Sequence, residues 1–558
     1  MSDTTKVYAS AISRRVTSQR DAIPGEDQVQ NNAGGYVYAV DKWQRLTRFL
    51  VLGTSESTYY VSAKELTRDN AAVVIACMVE DYVRTVADIV AVSDAGRAPK
   101  NDPAILALAL AVADKRPEAV ACALTALPKV CRIPTHLFHF LAYLKELRGF
   151  GPSIRKAVQA WYGRWTADQL AFEMVKYQSR DGWSHRDVLR LTHPRLTPEV
   201  QATMRWAIGA PLTDRTVTRK NRGGQTTAYG VAGALPSIVT AFEEAKTASD
   251  ADVMALIRAH GLTREMVPSK ALNNPNVWAA LLEQMPLTAM IRNLGKMTEV
   301  GLLAPLSDAV LAVTTKLADV AAMKKARVHP MVILNALRVY QQGHGEKGKL
   351  TWTPVARVVD ALDAAFYTSF GNVTPTNQRI MLALDVSGSM GAAIAGTSLT
   401  CREAAAAMAL VTANVEPQHL IVGFTSGSRP WMHRGYATRL SQLAISPRQR
   451  LDDVVRYMAS LDFGGTDCAL PMLEAHRTKM HVDAFCIFTD SETWAGDIQP
   501  VQALRQYRQA QNRPNAACVV VGMTATEFSI ASPDDRRMLD VVGFDTATPE
   551  AISQFLTQ

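Results

Sequence analysis

A change of pattern near residue 375 constrains the fold of this chain more than any other feature. After Pro375, four short apolar runs each end in small or polar residues: RIMLALDVS, HLIVGFTS, VDAFCIFTD and AACVVVGM. Helical patterns such as LTCREAAAAMALVTANV lie between them. Buried strands that alternate with helices predict a doubly wound parallel sheet with helices on both faces. The stretch FGNVTPTN, residues 370–377, is the expected junction with the preceding region.

From about Lys42 to Asp363 the apolar residues follow helical spacing instead, as in AAVVIACMVEDYVRTVADIVAVS, HLFHFLAYLKELRGF and VWAALLEQMPLTAMIRNLGKM. Many medium-length helices in succession predict an irregular stack of helix pairs, in which each pair covers the apolar face of its neighbour. The run AILALALAVA, residues 104–113, is too short to span a membrane and is expected to form a buried helix. The predicted fold class is therefore an α-helical repeat followed by an α/β domain.

The net charge is divided unequally between the two regions. Residues 376–558 contain 15 Lys and Arg against 18 Asp and Glu, a net charge of −3, whereas residues 1–375 contain 45 against 34, a net charge of +11. This bias favours a polyanionic partner for the helical region, and a well-solvated basic surface is the alternative.

The cysteines and the amino terminus indicate the compartment. The seven cysteines are scattered, form no CxxC pair and lie mostly in apolar stretches, so they are expected to be reduced core thiols rather than zinc ligands or disulfides. The sequence MSDTTKVYASAISRRVTSQRD lacks the apolar core of a secretory signal. We therefore expect a cytoplasmic protein.

Oxygen-bearing side chains occur in three loops of the α/β region. DVSGSM follows the first predicted strand, FGGTDC is a glycine-rich loop, and IFTDSETW contains the end of another strand. The five side chains are those of Asp385, Ser387, Ser389, Thr466 and Asp490. Because the carboxyl ends of parallel strands meet at one edge of a sheet, these oxygens can converge on a hard divalent cation. Beyond Asp467 and Glu492, these loops offer no histidine or carboxylate pair to act as a base in metal-assisted hydrolysis. A hydrolase is thus the weaker interpretation, and a loop without metal remains an alternative.

The stretch KYQSRDGWSHRDVLRLTHPR, residues 176–195, is strongly basic. Its cationic and histidine side chains are those of Lys176, Arg180, His185, Arg186, Arg190, His193 and Arg195. The spacing predicts that Lys176 and Arg180 share one helix face, that Asp181 and Gly182 form a turn, and that a capping box beginning at Ser184 opens a second helix. Arg186 and Arg190 would share a face of that helix. From these residues alone, phosphate binding and ion pairing with neighbouring helices are equally supported.

Taken together, these motifs resemble the Ro autoantigen family, which combines a TROVE module with a von Willebrand factor A domain. The resemblance rests on residues 176–195, on NNAGGYVYAVDKWQRLTRFLVLGTSESTYYV and WAALLEQMPLTAMIRNLGKM, and on the complete DxSxS, threonine and aspartate motif. The resemblance implies a Ro orthologue of bacterial or phage origin. The resemblance implies a flexible segment over residues 1–30, a helical ring over residues 31–372, and an A domain over residues 373–558 that closes the ring.

The family's known properties supply the functional expectations. The resemblance implies Asp385, Ser387, Ser389, Thr466 and Asp490 as ligands of a divalent cation, Mg²⁺ first and Mn²⁺ or Ca²⁺ as alternatives, with an open position that grips a partner's anion. It implies Lys176, Arg180 and His193 as contacts to Y-type noncoding RNA on the outer surface. Misfolded RNA with a single-stranded end would enter the central hole of a monomeric ring.

A role in RNA quality control, or as an adaptor to an exoribonuclease such as polynucleotide phosphorylase, is implied in the same way, without enzymatic activity or membrane contact. The rival hypothesis is a protein-interaction scaffold whose metal captures an acidic partner. A second basic run, DRTVTRKNRGGQTTAYG, contains Arg215, Arg219, Lys220 and Arg222, and is predicted to be a mobile loop that holds RNA or is simply solvated. His136 and His139 lie in an apolar helical pattern and are expected to be core or surface residues rather than metal ligands.

Overall fold

The fold was determined from a computed structural model. It describes most of the chain, namely residues 16–53, 63–194, 198–209, 217–220, 226–229, 235–326, 328–345, 349–370, 374–393, 399–425, 439–447, 449–460, 464–543 and 547–557.

The first region is built of helices, as the apolar spacing predicts. Its helices are α1 (Lys42–Leu52), α2 (Ala63–Ala95), α3 (Asp102–Val112), α4 (Pro117–Val130), α5 (Pro134–Leu147), α6 (Pro152–Tyr162), α7 (Ala167–Lys176), α8 (His185–Thr192), α9 (Pro198–Ala207), α10 (Ser237–Ala245), α11 (Asp250–His260), α12 (Pro275–Gln284), α13 (Leu287–Glu299), α14 (Asp308–Ala318), α15 (Val320–Lys325), α16 (Pro330–Gln342) and α17 (Ala356–Thr368). Proline at the first turn starts several of them, as in α3 to α6, because its missing N–H has no intrahelical partner there.

These helices pack on near neighbours along the chain, as an irregular repeat requires. Helix α2 contacts α1, α3 and α4, α3 contacts α5, and α4 contacts α6. The predicted buried helix is confirmed, because most side chains of α3 are inaccessible to solvent. Each pair of helices thereby covers the apolar face of the next.

The region after residue 375 is the predicted doubly wound domain. Its strands are β7 (Ile380–Asp385), β8 (His419–Thr425), β9 (Arg439–Gln442), β10 (Ala484–Thr489), β11 (Ala517–Gly522), β12 (Phe528–Ser529) and β13 (Met538–Val542). Its helices are α18 (Cys401–Val415), α19 (Leu451–Ala459), α20 (Leu470–Arg477), α21 (Pro500–Ala510) and α22 (Thr548–Thr557). The sheet order is β13-β11-β10-β7-β8-β9, parallel except for the antiparallel edge strand β9. Strands β7, β10 and β11 are buried along their whole length, as their continuous apolar sequences predict.

Both ends of the helical region contact this domain. Strands β1 (Gln28–Gln30) and β2 (Tyr36–Ala39) precede α1 and form an antiparallel sheet with β12. At the other end, Arg338 of α16 binds Glu403 of α18 at 3.0 Å. The chain therefore closes on itself through the second domain.

The amino-terminal segment differs from the expectation of flexibility over residues 1–30. Residues 1–15 lie outside the described residues, but from residue 16 onward the segment is bound to the second domain. Gln19 is completely buried, and its amide nitrogen donates to Asp467 Oδ1 at 2.7 Å and to the Ile498 carbonyl at 3.0 Å. A backbone hydrogen bond from Gln19 to Gly496 completes the contact.

The cysteines lie mostly in the core of this fold. All seven cysteines are free thiols, and six of them are buried, which confirms the prediction of reduced core residues. Within the described part of the chain, every helix is too short or too polar to cross a bilayer.

Candidate functional site

The carboxyl edge of the second domain's sheet brings the first and third predicted metal loops together. Strands β7 and β10 are parallel neighbours with Leu384 paired to Phe488, so Asp385 and Asp490 leave the sheet side by side. All five predicted ligands, Asp385, Ser387, Ser389, Thr466 and Asp490, are almost fully buried.

Hydrogen bonds fix the first loop. One carboxylate oxygen of Asp385 accepts from the backbone N–H of Ser387 at 2.9 Å, and the other accepts from the Thr489 hydroxyl at 2.6 Å. The hydroxyl oxygens of Ser387 and Ser389 are 3.1 Å apart, and the Ser389 hydroxyl also bonds Asp490. The DxSxS turn thus points its oxygens toward the third loop.

The second loop is joined to both of the others through its backbone. The carbonyl of Thr466 accepts from the N–H groups of Trp494 and Ala495 at 3.1 and 3.0 Å. The N–H of Gly388 donates to the Gly464 carbonyl at 3.3 Å. Thr466 is therefore held at the same edge of the sheet by a loop that is hydrogen-bonded to the other two.

The electrostatics of this edge suit a cation. Burial raises the pKa of Asp385, and burial together with the charges of Asp385 and Glu492 raises the pKa of Asp490 well above its usual range. Two adjacent buried carboxylates cost free energy unless a positive charge neutralises them. Arg402 provides part of that charge, because its guanidinium donates to the Ser387 carbonyl at 3.0 Å.

The donor set also fits the predicted kind of metal. Among the described residues, no three His, Cys, Asp or Glu side chains are grouped as a metal cluster. A cation here would therefore depend on serine and threonine hydroxyls beside two aspartates. Such an all-oxygen set suits Mg²⁺, Mn²⁺ or Ca²⁺ and does not suit a metal that prefers sulfur or imidazole.

The two additional carboxylates near this edge are already bound to the amino-terminal segment. Glu492 accepts from Asn32 Nδ2 at 2.8 Å and from the Ala33 N–H at 3.0 Å. Burial raises its pKa to about 7. Asp467 accepts from Gln19 and from the Ala469 N–H. Neither is a free general base, and no local sequence pattern indicates these contacts.

The basic stretch forms a different corner from the one predicted. Helix α7 ends at Lys176, and Tyr177 leaves the helical region of backbone space, so Lys176 and Arg180 do not share a helix face. Arg180 lies instead on a two-residue strand, β3 (Ser179–Arg180), which pairs with β4 (Trp183–Ser184). The positive φ angles of Asp181 and Gly182 confirm the predicted turn and convert this stretch into a hairpin.

The second half of the corner matches the prediction. The Ser184 hydroxyl accepts from the Asp187 N–H at 3.4 Å, and the Asp187 carboxylate accepts from the Ser184 N–H at 3.0 Å, which is the predicted capping box of α8. The helix ends at Thr192, and His193 adopts a left-handed conformation just before Pro194.

This corner exposes several cations. Arg180, Arg186, Arg190 and His193 are exposed, and Lys176 lies near the rings of Phe172 and Tyr177 at 5.4 and 5.1 Å. Arg186, Arg190 and His193 form no ion pair with any described carboxylate. Among the described residues, the alternative of ion pairing with neighbouring helices thus finds no partner for Arg186 or Arg190.

Other residues of the basic stretch have different positions. His185 is buried, and its Nδ1 lies 2.9 Å from the Tyr162 hydroxyl, so it belongs to the core. Trp183 packs edge-on against Phe150, with ring centroids 5.5 Å apart. Arg195 lies outside the described residues.

The second basic run is a hairpin over its described parts. Strand β5 (Val217–Lys220) pairs with β6 (Thr226–Tyr229), which places Arg219 and Lys220 opposite Thr227 and Thr226. The prediction of a loop is wrong for these two residues. Arg215 and Arg222 lie outside the described residues.

The two histidines of HLFHF lie on α5. His136 is largely buried, and burial lowers its pKa to about 4. His139 lies between two carboxylates, with Nδ1 2.7 Å from Asp102 Oδ1 and Nε2 2.9 Å from Asp181 Oδ2.

Comparison with known proteins agrees with this architecture. The TROVE domain family matches residues 29–338, and the Ro60 vWA domain family matches residues 379–556. A Deinococcus radiodurans protein named RNA-binding protein RO60 is 42% identical over 538 residues, which cover 95% of each chain. A Caenorhabditis elegans protein of the same name is 35% identical over 98% of this chain and 92% of its own.

A solved structure gives the same result. The crystal structure of the Deinococcus radiodurans RO (RSR) protein superimposes with a TM-score of 0.63 and 38% identity, covering 93% of this chain and 99% of that one. The helical repeat, the A domain that joins its ends and the extent of these matches show that the chain belongs to the Ro60 family of TROVE-domain proteins.

Proposed function

We propose that this protein is an RNA-binding ring. It holds Y-type noncoding RNA on its outer surface and structured or misfolded RNA with a single-stranded end at its central hole. The observation that carries the proposal is the exposed basic corner, which presents Arg180, Arg186, Arg190 and His193 on a hairpin and the helix that follows it. The related proteins from Deinococcus radiodurans and Caenorhabditis elegans are both named for RNA binding.

The chemistry of this corner suits phosphate and backbone recognition. Guanidinium groups bind phosphate oxygens bidentately, and the deep major groove of an RNA duplex hides base edges from side chains. We assign Lys176, Arg180 and His193 to Y-type RNA, with Arg186 and Arg190 as neighbouring phosphate contacts. Arg219 and Lys220 on β5, together with Arg222 further along the basic run, would also contact RNA.

The test is RNA affinity as a function of salt concentration, measured for a structured Y-like RNA and for an RNA with a single-stranded tail. Lys176→Ala/Arg180→Ala should weaken binding of the Y-like RNA selectively and reduce its salt slope by about two. The matched control is Arg456→Ala/Arg477→Ala, which removes two exposed cations from the A domain. Unchanged binding of both RNAs by the first variant would exclude the assignment.

The role in the cell follows from the same proposal. A monomeric ring that holds one RNA outside and another at its hole would act in RNA quality control, or would carry an exoribonuclease such as polynucleotide phosphorylase to its substrates. Co-purification of a ribonuclease that is lost after digestion of the bound RNA would support the adaptor role, and a ribonuclease retained without RNA would contradict an RNA tether.

The A domain supports a second candidate function, capture of an acidic partner through a metal. Asp385, Ser387, Ser389, Thr466 and Asp490 would hold Mg²⁺, with Mn²⁺ or Ca²⁺ as substitutes. The bound ion would supply one open position for a partner's carboxylate. Chelation should release such a partner and leave Y-like RNA bound, whereas high salt should release the RNA first.

A further inference from the structure

The hairpin that carries Arg180 is too small to hold its own shape. It consists of two residue pairs, Ser179 with Ser184 and Arg180 with Trp183. Its turn requires a positive φ at Asp181, where φ is 50°, and at Gly182, where φ is 75°. An isolated two-stranded hairpin is marginally stable even when it is much longer, so other contacts must hold this one.

His139 connects the turn of this hairpin to the helices on which it packs. Its side chain, on α5, is 14% exposed, and its two ring nitrogens face different carboxylates. Nδ1 forms a 2.7 Å hydrogen bond with Oδ1 of Asp102, the first residue of α3. Nε2 lies 2.9 Å from Oδ2 of Asp181, which is an ion-pair contact without hydrogen-bond geometry. The hydrogen bond from His139 lowers the pKa of Asp102, which is consistent with an ionised carboxylate at that end of the bridge.

Asp181 connects this bridge to the cation beside it. Its second oxygen, Oδ1, lies 3.7 Å from Nε of Arg180, whose side chain is 61% exposed. On the paired strand, the Trp183 ring packs against Phe150. The hairpin therefore has one polar anchor at its turn and one apolar anchor on β4.

We infer that His139 and Asp181 are positioning residues for RNA binding, because the bridge from Asp102 through His139 to Asp181 fixes the hairpin that presents Arg180. This inference rests on the RNA-binding function proposed above. Asp181 itself carries a negative charge at a phosphate-binding corner, where it opposes the ligand by simple Coulomb repulsion. Asp181 thus favours RNA binding through the hairpin geometry that it stabilises, whereas its negative charge alone would weaken binding.

Because the two effects change RNA affinity in opposite directions, a substitution of Asp181 distinguishes them. Asp181→Asn retains the turn, since asparagine adopts left-handed conformations readily, but it removes the carboxylate. A charge effect alone would strengthen RNA binding in this variant. Loss of positioning should weaken binding of the structured RNA by about three- to tenfold, the ordering cost of one or two side chains.

Asp168→Asn is the matched control, because Asp168 is an exposed carboxylate in the first turn of α7. It should leave affinity unchanged or raise it slightly. His139→Phe is the second variant, since it keeps a ring of similar size and removes both carboxylate contacts. It should weaken RNA binding as Asp181→Asn does. If it fails to fold, the exposed Asp181 variant still decides the question.

A double-mutant cycle with Arg180→Ala separates positioning from a general structural role. Asp181→Asn should have little further effect on RNA affinity once Arg180 is absent. Equal weakening by Asp181→Asn with and without Arg180, or tighter binding like that of a pure charge change, would overturn the inference. Should Arg180→Ala alone leave affinity unchanged, the proposed RNA-binding role of this corner would be wrong instead.

Discussion

The guanidinium of Arg48 donates to both carboxylate oxygens of Asp540, at 2.5 and 2.6 Å, and so joins the first helix of the helical region to the last strand of the A domain's sheet. Arg48 also donates to the carbonyls of Thr526 and Phe528, both at 2.9 Å. Its side chain is 2% exposed, and that of Asp540 is 8% exposed. These contacts join the amino-terminal end of the helical region to the A domain.

Removing the contacts of Arg48 should destabilise the protein strongly. Arg48→Ala leaves a buried carboxylate without its positively charged partner and two carbonyls without their donor, so we expect a loss of about 3–5 kcal/mol in apparent unfolding free energy. Arg48→Lys should recover only part of this loss, because a lysine cannot reproduce the planar set of donors. Urea unfolding measures the stability of both variants. A loss below about 1 kcal/mol for Arg48→Ala, which is the range of an exposed ion pair, would show that this contact contributes little to stability.

Substitution of Asp490 should have opposite effects with and without metal. In the metal-free protein, Asp490→Asn removes one of two adjacent buried carboxylates and should raise the melting temperature. With Mn²⁺ at a hundredfold excess over its dissociation constant, only the wild type should gain about 2.7 kcal/mol of stabilisation. Thermal unfolding with Mn²⁺ and with EDTA measures this, with Asp453→Asn on α19, whose side chain is 45% exposed, as control. Equal stabilisation of both proteins by Mn²⁺ would exclude this edge as the site.

Gly35 should be intolerant of any side chain. A Cβ at this position would lie 1.8 Å from the Thr493 carbonyl oxygen, in the loop that follows Asp490. Gly35→Ala must therefore push the amino-terminal segment away from the third metal loop, at a cost of about 1–3 kcal/mol. Gly391→Ala is the control, because Gly391 is exposed and a Cβ there meets nothing within 4 Å. Calorimetric unfolding compares the two, and equal stability would contradict the tight contact.

The buried His185 should make stability depend on pH. Burial lowers its pKa to about 3, whereas an unfolded histidine has a pKa of about 6.5. Below pH 6.5 the unfolded chain binds the extra proton, so the stabilisation is complete above that pH and is lost as the pH falls toward 3, by up to about 1.4 kcal/mol per unit.

The variant His185→Phe should lose this component of the pH dependence. Denaturant unfolding between pH 7 and pH 5 should show a shallower fall for this variant than for the wild type. Tyr162→Phe removes the hydroxyl that contacts His185 but leaves the histidine buried, so it should retain the wild-type slope. Identical slopes for His185→Phe and the wild type would contradict a neutral buried histidine.

The metal loops were predictable because their geometry is set by strand order. Asp385 and Asp490 directly follow apolar runs, and parallel strands bring such positions to one edge. The position of Arg180 was not predictable from helical spacing, because the chain leaves the helix at Tyr177 and the turn at Asp181 and Gly182 imposes a hairpin. Local turn geometry prevailed there over the four-residue spacing.

Local sequence patterns do not predict contacts between distant parts of the chain. Asn32 and Glu492 are separated by 460 positions, and Arg48 and Asp540 by 492. Neither pair can be predicted from the local sequence, since each residue alone resembles an ordinary polar residue of the surface. For the same reason residues 16–30, which have no strong helix or strand pattern, were expected to be flexible although they bind the A domain.

The most direct measurement of the central claim is ultraviolet crosslinking of a structured Y-like RNA to the full-length protein, followed by mass spectrometry of the crosslinked peptides. We predict crosslinks within residues 167–194, where Tyr177 and Trp183 lie beside the exposed cations of the basic corner. Crosslinks confined to the A domain, with none in that segment, would contradict the assignment of RNA binding to this surface.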